Sequence, residues 1–405
     1  MIPTSRNVVD DFSLSAVVAG FLAVLISYAG PLVIVFQAAK LAHLSDAMTS
    51  SWIWAISLGS GITGLVLSWR LKTPIITAWS TPGAALLVVM LPGLPLAQAI
   101  GAYIVAALAI SLIGLSGAFD KLIEHIPKGI AAALLAGVLF HFGTDVFGSI
   151  HANPALVLLM IATFFTLKRL RPRYAIAGVM LVGMAFAIAT DHTSLSQIQL
   201  TIVHPVLVIP DWSWHAILSL GLPLTLVTLT GQYVPGMAVL RASGYDVSAR
   251  SIVSTTGIAS LLLAPFGSHG VNLAAITAAI CTGKEAHEDA DQRYVAGIAC
   301  GIIYIIIGIF GGTLALLFSS LPKELVVALA GIALISAITT GVVGMVQDEK
   351  NREASVVTFL VTASGMSFLG LGAAFWGLVI GGLAYLALHK SWQRPALTAA
   401  TLTKT

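Results

Sequence analysis

Apolar residues run in long blocks along this chain, and short polar segments separate the blocks. A helix needs about 20 apolar residues to cross the roughly 30 Å of hydrocarbon in a bilayer. All backbone N–H and C=O groups must be hydrogen-bonded within the membrane, so we expect an all-α polytopic membrane protein. The pattern predicts about fourteen spans, several of them short: 13–38, 47–69, 74–91, 96–118, 128–147, 153–168, 174–190, 214–240, 250–264, 268–282, 293–318, 323–346, 354–370 and 372–389.

Charged residues are scarce and unevenly placed. They make up 9% of the chain, against about 25% in ordinary soluble domains, which excludes a soluble enzyme, a disordered chain and a nucleic-acid-binding protein. If the N-terminus is cytoplasmic and the spans alternate, every Lys and Arg except Lys40 and Lys323 faces the cytoplasm. The positive-inside rule therefore predicts that both termini are cytoplasmic. Residues 1–12 lack the basic region of a signal peptide, so we expect the first apolar block to remain as a span.

The two halves of the chain share a pattern that predicts an inverted repeat. Residues 73–86 and 264–276 are both interrupted by Pro and Gly, and in each an extended piece precedes an Ala-rich half-helix. Seven spans per half place the halves in opposite orientations, as in many secondary transporters. Half-helices beginning near Pro82 and Asn272 would direct free N–H groups at an anion. The alternative is two kinked helices with a structural role only.

One ionisable residue lies within the predicted breaks. His269 stands between Ser268 and Gly270, whereas every Asp and Glu lies in a loop or at a span end. This argues against cation transport through an acidic site. A protonated His269 would attract a carboxylate, and losing the proton would help release it; the alternative is a neutral histidine that is hydrogen-bonded in the break. His141 and Asp145 share a helix face, but a solvated span end explains them better.

Uncharged polar and aromatic groups gather at the same breaks. They suit a small aromatic anion better than a sugar, which would need more polar partners. Cys281 and Cys300 lie in apolar sequence without ligand spacing, and we expect no metal and no organic cofactor. The uncharged groups are Tyr28, Trp79, Ser80, Thr81, Gln232 and Tyr233.

Three runs of this sequence, 76–86, 231–236 and 265–277, resemble the benzoate/proton symporter family of bacterial inner membranes. The resemblance covers about residues 10–390 and implies uptake of benzoate coupled to proton entry, not an enzyme. The chain is more distantly similar to uracil/proton symporters and to sulfate and bicarbonate transporters. Those families share a seven-plus-seven inverted repeat, core and gate domains and an elevator-like movement. The resemblance implies core segments at 13–118 and 214–318 and gate segments at 128–190 and 323–389.

The resemblance also implies where the substrate binds. The nucleobase symporters carry acidic residues at the positions of Gln232 and His269, but benzoic acid titrates near pKa 4 and two buried carboxylates would repel its anion. We expect the carboxylate between the two half-helix N-termini and the ring against Tyr28, Trp79, Tyr233 or Phe266, with His269 handling the proton. The candidate substrate-binding residues are Tyr28, Trp79, Ser80, Thr81, Pro82, Gly83, Gln232, Tyr233, Phe266, Ser268, His269, Gly270 and Asn272.

Other functions fit parts of the pattern. An anion uniporter or channel of the same fold would explain the lack of a buried acid. A symporter of salicylate or a substituted benzoate would need the same groups. A membrane-embedded enzyme would need a nucleophile, metal ligands or an acid–base pair at the midplane, where His269 stands alone. The expected partners are benzoate or a similar aromatic carboxylate, protons and the lipid bilayer; a homodimer is implied by the resemblance alone.

Overall fold

The computed structural model describes residues 11–125, 127–172, 175–190, 200–284, 286–369 and 371–388. The predicted span ends at 174, 370 and 389, like both chain termini, lie outside these residues. Within them the chain is mostly helical, as the apolar blocks predict.

The first half of the chain forms nine helices and one strand within the described residues. Polar side chains cap several helix starts: Ser13 caps α1, Ser45 caps α3 and Asn153 caps α8, each accepting a backbone N–H of the first turn. In chain order the elements are α1 (Leu14–Ala29), α2 (Pro31–Leu41), α3 (Asp46–Leu71), β1 (Thr77–Trp79), α4 (Thr81–Met90), α5 (Leu96–Ser116), α6 (Phe119–His125), α7 (Lys128–Gly148), α8 (Pro154–Leu170) and α9 (Ala175–Ala189).

The second half begins with a long helix in three α-helical pieces, joined by π-helical stretches at Ile217–Gly221 and Leu229–Tyr233. Such stretches often occur at functional sites. The elements are α10 (Trp214–Ala216), α11 (Leu222–Thr228), α12 (Val234–Ala242), α13 (Ala249–Leu263), β2 (Val271–Leu273), α14 (Ile276–Thr282), α15 (Tyr294–Ile309), α16 (Gly311–Ser319), α17 (Lys323–Gln347), α18 (Arg352–Ala363), β3 (Ser367–Phe368), β4 (Leu371–Gly372) and α19 (Ala373–Leu388).

Each predicted span contains a helix, but two long ones are divided. Residues 13–38 form α1 and α2, which meet at Gly30 ahead of Pro31, and residues 293–318 form α15 and α16. Proline lacks the N–H that would continue the first of these helices. Eight described helical stretches are long and apolar enough to cross a bilayer: Leu14–Leu41, Asp46–Leu71, Leu96–Ser116, Lys128–His151, Trp214–Arg241, Ala249–Phe266, Ala290–Ile309 and Lys323–Gln347.

The two predicted breaks are extended segments that pair with each other. Strands β1 and β2 run antiparallel, with Thr77 opposite Leu273, Ala78 opposite Asn272 and Trp79 opposite Val271. The expected start of the second half-helix near Asn272 is wrong. Asn272 lies in β2 and α14 begins at Ile276, because the backbone around Asn272 is occupied by pairing with β1.

Helices pack in two groups. In one, α3 and α1 contact α15, and α5 contacts α13; in the other, α7 contacts α17 and α18, α18 contacts α19, and α8 contacts α9. Small residues permit the close crossings: a Cβ at Gly301 would lie 2.6 Å from the carbonyl oxygen of Gly61. The groups meet where α2 contacts α17 and α4 contacts α7.

Gly301→Ala is expected to destabilise the α3–α15 crossing, since the backbone of Gly61 must move to admit the methyl group. Overpacking costs about 1–3 kcal/mol, which lowers the melting temperature in detergent by several degrees. Gly382→Ala is the matched control, because a Cβ at Gly382 meets nothing within 4 Å. Equal melting temperatures for the two variants would contradict the crossing.

Candidate functional site

The β1–β2 pair places the two broken segments side by side. Trp79 ends β1 and Ser80 follows it, while His269 and Gly270 lead into β2. Gly270 has φ +139° and Gly267 has φ +100°, values that L side chains rarely adopt, so glycine is required at both turns. The site is therefore assembled from residues that are far apart in sequence.

Ser80 forms the start of the first half-helix. Its Oγ accepts the N–H of Gly83 at 2.9 Å, its carbonyl accepts the N–H of Ala84 at 2.8 Å, and Pro82 has no N–H. The first half-helix thus begins where the sequence predicts. Most of its free donors are already satisfied by the cap, which leaves Thr81 as the N–H of this turn for an external anion.

His269 connects three parts of the structure. Its Nδ1 accepts a hydrogen bond from Nε1 of Trp52 on α3 at 3.0 Å, and its Nε2 lies 3.0 Å from the carbonyl oxygen of Ser80. An indole N–H can only donate and a carbonyl can only accept. The ring is therefore neutral, with its proton on Nε2. His269 is 4% exposed, so this neutral form suits its burial.

Asn272 and Tyr233 continue the network on the other side of Ser80. The amide of Asn272 satisfies its neighbours when its oxygen accepts the N–H of Ser80 at 3.3 Å and its nitrogen donates to the Tyr233 hydroxyl at 3.3 Å. That hydroxyl lies 2.7 Å from Oγ1 of Thr256. Tyr233 also packs edge-on against Phe119. The Tyr233 hydroxyl therefore links Asn272 to Thr256 of α13.

Three aromatic rings form a second cluster. The ring centroid of Trp79 lies 5.4 Å from that of Tyr28 and 5.9 Å from that of Tyr304. The Tyr28 hydroxyl donates to Oγ of Ser57. In contrast, Nε1 of Trp79 is buried and has no hydrogen-bond partner among the described residues. A buried unpaired donor of this kind calls for an acceptor.

Ser268 offers a second unpaired group at the break. Its Oγ is buried without a hydrogen-bond partner in the described part of the chain. Gln232 is 9% exposed and lies in a π-helical stretch beside Gly231, where a Cβ would sit 3.3 Å from Cγ of Pro82. Phe266 lies apart, packed against Trp54.

Buried formal charge is almost absent from the described residues. Among Asp, Glu, Lys and Arg side chains with described burial, only Asp11 and Arg293 are buried. Asp11 accepts a hydrogen bond from the Tyr294 hydroxyl at 2.7 Å. Arg293 donates to backbone carbonyls of the 282–288 segment. Neither residue bonds to the two breaks, so the site combines uncharged donors with a neutral histidine.

A cavity of about 390 Å³ lies elsewhere, between α2, the end of α7 and the start of α17. It contains none of the candidate site residues. Asp145, which the sequence pairs with His141 on one helix face, lines it together with Lys323 and Glu324. The full lining is Gln37, Leu41, Asp145, Gly148, Ser149, Ala152, Lys323, Glu324 and Val327.

Three residues of the site were not predicted from the sequence. Trp52 and Tyr304 stand in long apolar blocks, where an aromatic residue indicates packing, and Thr228 lies in α11, with Oγ1 3.4 Å from Oγ of Ser80. A weak signal exists only for Thr228, since it lies shortly before the run 231–236 that contains the candidates Gln232 and Tyr233.

Comparison with known proteins identifies relatives over nearly the whole chain. The model of a family described as benzoate membrane transport protein (BenE) matches residues 10–388. A benzoate membrane transport protein of Acinetobacter baylyi is 49% identical over 385 residues, covering 95% of this chain and 98% of that protein. Inner membrane protein YdcO of Escherichia coli is 42% identical over 371 residues, covering 92% and 95%.

Solved structures show a related fold at low sequence identity. SLC26A9 matches with a TM-score of 0.65 at 14% identity, over 94% of this chain and 66% of that one. The transmembrane domain of the cyanobacterial bicarbonate transporter BicA matches with a TM-score of 0.56 at 13% identity, over 87% and 97%. The mostly helical fold described above is therefore shared with these two structures.

Proposed function

We propose that this chain, which belongs to the benzoate membrane transport protein family, imports benzoate or a closely similar aromatic carboxylate together with a proton. The family consists of membrane transport proteins rather than enzymes. The observation that carries the proposal is a pair of buried donors, Nε1 of Trp79 and Oγ of Ser268, that have no hydrogen-bond partner among the described residues. The one buried carboxylate with described burial, Asp11, bonds to Tyr294 instead. Such donors can form hydrogen bonds to an anion. A site lined by carboxylates would repel the same anion.

The carboxylate would accept hydrogen bonds from these two donors and from the N–H of Thr81. The positive end of the α4 dipole adds a favourable field at the same place. The ring would lie against the aromatic cluster of Tyr28 and Trp79, whose faces and edges suit another aromatic group. Ser80, Pro82 and Gly83 form the half-helix start, Gln232 borders Pro82, and Asn272 with Tyr233 supports Ser80 from behind. Phe266 stays a candidate contact for the ring of the substrate.

Proton coupling follows from burial. A charged imidazolium at His269 is costly in this environment unless an anion pairs with it, and a buried benzoate is costly unless a cation pairs with it. The proton and the carboxylate therefore stabilise each other. His269 is the residue we propose to take the proton, at Nδ1, since Nε2 already carries one.

The two helix groups support a division into core and gate. The candidate site lies within the group of α1–α5 and α10–α16, which corresponds to core segments 13–118 and 214–318. Helices α7–α9 and α17–α19 correspond to gate segments 128–190 and 323–389. Gly231 faces Pro82 of the core and Leu135 of α7, so the site borders the gate. We propose that the core moves against the gate as an elevator.

Membrane placement completes the proposal. Fourteen crossings in a seven-plus-seven inverted repeat agree with the pairing of β1 with β2, one strand from each half. Both termini then face the cytoplasm of a bacterial inner membrane, as the Lys and Arg distribution favours. A homodimer is part of the proposal on the ground of family resemblance alone.

The test is uptake of labelled benzoate into liposomes that contain the purified protein. Benzoic acid crosses lipid unaided, so protein-free liposomes give the background and saturable uptake above it defines the carrier. With the membrane voltage clamped, we expect an inward proton gradient to raise the rate of this saturable uptake. Saturable flux that ignores the gradient would indicate an anion uniporter instead. If unlabelled salicylate inhibits uptake more strongly than unlabelled benzoate does, salicylate becomes the proposed substrate. If there is no saturable benzoate flux, the substrate assignment is refuted.

A further inference from the structure

Trp52 holds the histidine that bridges the two breaks. It lies on α3, which belongs to neither broken segment, and its side chain is 1% exposed. Its Nε1 donates to Nδ1 of His269 at 3.0 Å, and the two rings meet edge to face with centroids 5.6 Å apart. The indole therefore occupies the one lone pair of His269 that could accept a proton.

The break itself fixes Trp52 in place. A Cβ at Gly267 would lie 3.2 Å from Cβ and 3.3 Å from Cα of Trp52, and 2.7 Å from Cε of Met48. The turn before His269 is thus packed directly against the α3 backbone. This close contact sets the distance between the indole N–H and the imidazole, so the hydrogen bond is a built feature of the turn.

Within the part of the chain that the structure describes, no charged side chain bonds to His269. The partner from α3 is Trp52 and the partner from the first break is the carbonyl of Ser80. Ser268 and Gly270 flank the ring in its own segment. No described Asp, Glu, Lys or Arg forms a hydrogen bond or ion pair with it, and the two that are buried, Asp11 and Arg293, bond elsewhere.

We propose that Trp52 is a positioning residue that competes with the proton for Nδ1 of His269 and so sets the pH at which the carrier loads. Protonation adds one hydrogen to Nδ1 and leaves the Nε2–H bond to Ser80 intact. In that step the indole N–H of Trp52 loses its hydrogen-bond acceptor. The new Nδ1–H needs an acceptor in turn, and the substrate carboxylate supplies one. The inference deepens the proposed function and rests on it.

The first test is Trp52→Phe, which keeps an aromatic ring and removes the donor. Without the indole, Nδ1 is open to the proton, and the pH of half-maximal gradient-driven uptake is expected to rise by about one unit, the equivalent of one net hydrogen bond. Trp69→Phe is the matched control, because Trp69 lies on the same helix with its side chain 58% exposed. An active Trp52→Phe protein with the wild-type pH profile would overturn the proposal.

A second measurement requires neither transport nor the Trp52→Phe variant. Nitrogen-15 NMR of histidine-labelled wild-type protein reports which ring nitrogen carries the proton, and His269→Gln identifies the signal of interest. We expect a neutral ring protonated at Nε2 at neutral pH. A proton on Nδ1, or an imidazolium without substrate, would overturn the proposal. If wild-type uptake ignores the proton gradient, the proposed symport fails while this spectrum still decides whether Trp52 occupies Nδ1.

Discussion

Replacing His269 by glutamine is expected to preserve benzoate binding and to abolish the response of saturable uptake to a proton gradient. Oε1 of a glutamine can accept from Nε1 of Trp52 and its Nε2 can donate to the carbonyl of Ser80, as the neutral imidazole does at 3.0 Å on each side. A glutamine takes no proton in this pH range. His269→Ala instead leaves the buried indole N–H of Trp52 unpaired, at a cost of about 1–3 kcal/mol, and removes the link to the carbonyl of Ser80, so both binding and thermal stability fall.

The measurements are benzoate binding in detergent, melting temperature, and uptake into liposomes with and without the gradient. His151→Gln is the control for the chemical change, since His151 is exposed in the 3-10 turn Ser149–His151 that follows α7. If the saturable uptake through His269→Gln, above the protein-free background, still rises with the proton gradient, another group carries the proton. If His269→Ala binds as well as His269→Gln, the bridge between the breaks has no part in binding.

Removing either unpaired donor is expected to weaken benzoate binding strongly. A hydrogen bond to a charged group contributes about 1.5–3 kcal/mol, so Ser268→Ala and Trp79→Phe should each raise the Kd roughly 10- to 100-fold. Both substitutions leave the folded protein without a new unpaired group, because neither donor has a partner among the described residues. The melting temperature without benzoate should therefore change little for Ser268→Ala, whereas Trp79→Phe also loses ring contacts with Tyr28 and Tyr304 and should lower it modestly.

Matched controls separate this effect from a general loss of side-chain contacts. Ser254→Ala removes an exposed hydroxyl that bonds to the carbonyl of Arg250, and Trp69→Phe changes an exposed indole. Titration of labelled benzoate gives the Kd of each protein. Wild-type affinity in both Ser268→Ala and Trp79→Phe would move the carboxylate away from the two breaks.

The fold was largely predictable because the length of each apolar block predicts where a helix forms. Each apolar block contains a helix, and the serine at position 80 starts a half-helix as its capping chemistry requires. The start of α14 was misplaced because strand pairing between residues about 200 positions apart, such as Ala78 and Asn272, leaves no local signal. The division of the first span at Gly30 follows from Pro31, a signal that the sequence does contain.

The site was predictable in part. Pro and Gly interruptions located both breaks, and ionisable character singled out His269. Trp52 escaped notice since nothing local distinguishes a tryptophan that donates to a distant ring from one that only packs. The sequence predicts Tyr233 as a substrate contact but does not reveal that its hydroxyl hydrogen-bonds with Thr256 and Asn272. Side-chain partners of this kind are set by tertiary contacts, which one sequence does not reveal.

The most direct test of coupled benzoate and proton entry is proton movement driven by benzoate alone. Benzoate is added outside liposomes that hold a pH-sensitive dye, at a pH where little neutral benzoic acid exists to cross the lipid. We predict that wild-type protein acidifies the interior faster than protein-free liposomes do, in a saturable way, and that His269→Gln does not. Labelled benzoate entering through the wild-type protein with no acidification beyond the protein-free background would contradict the account.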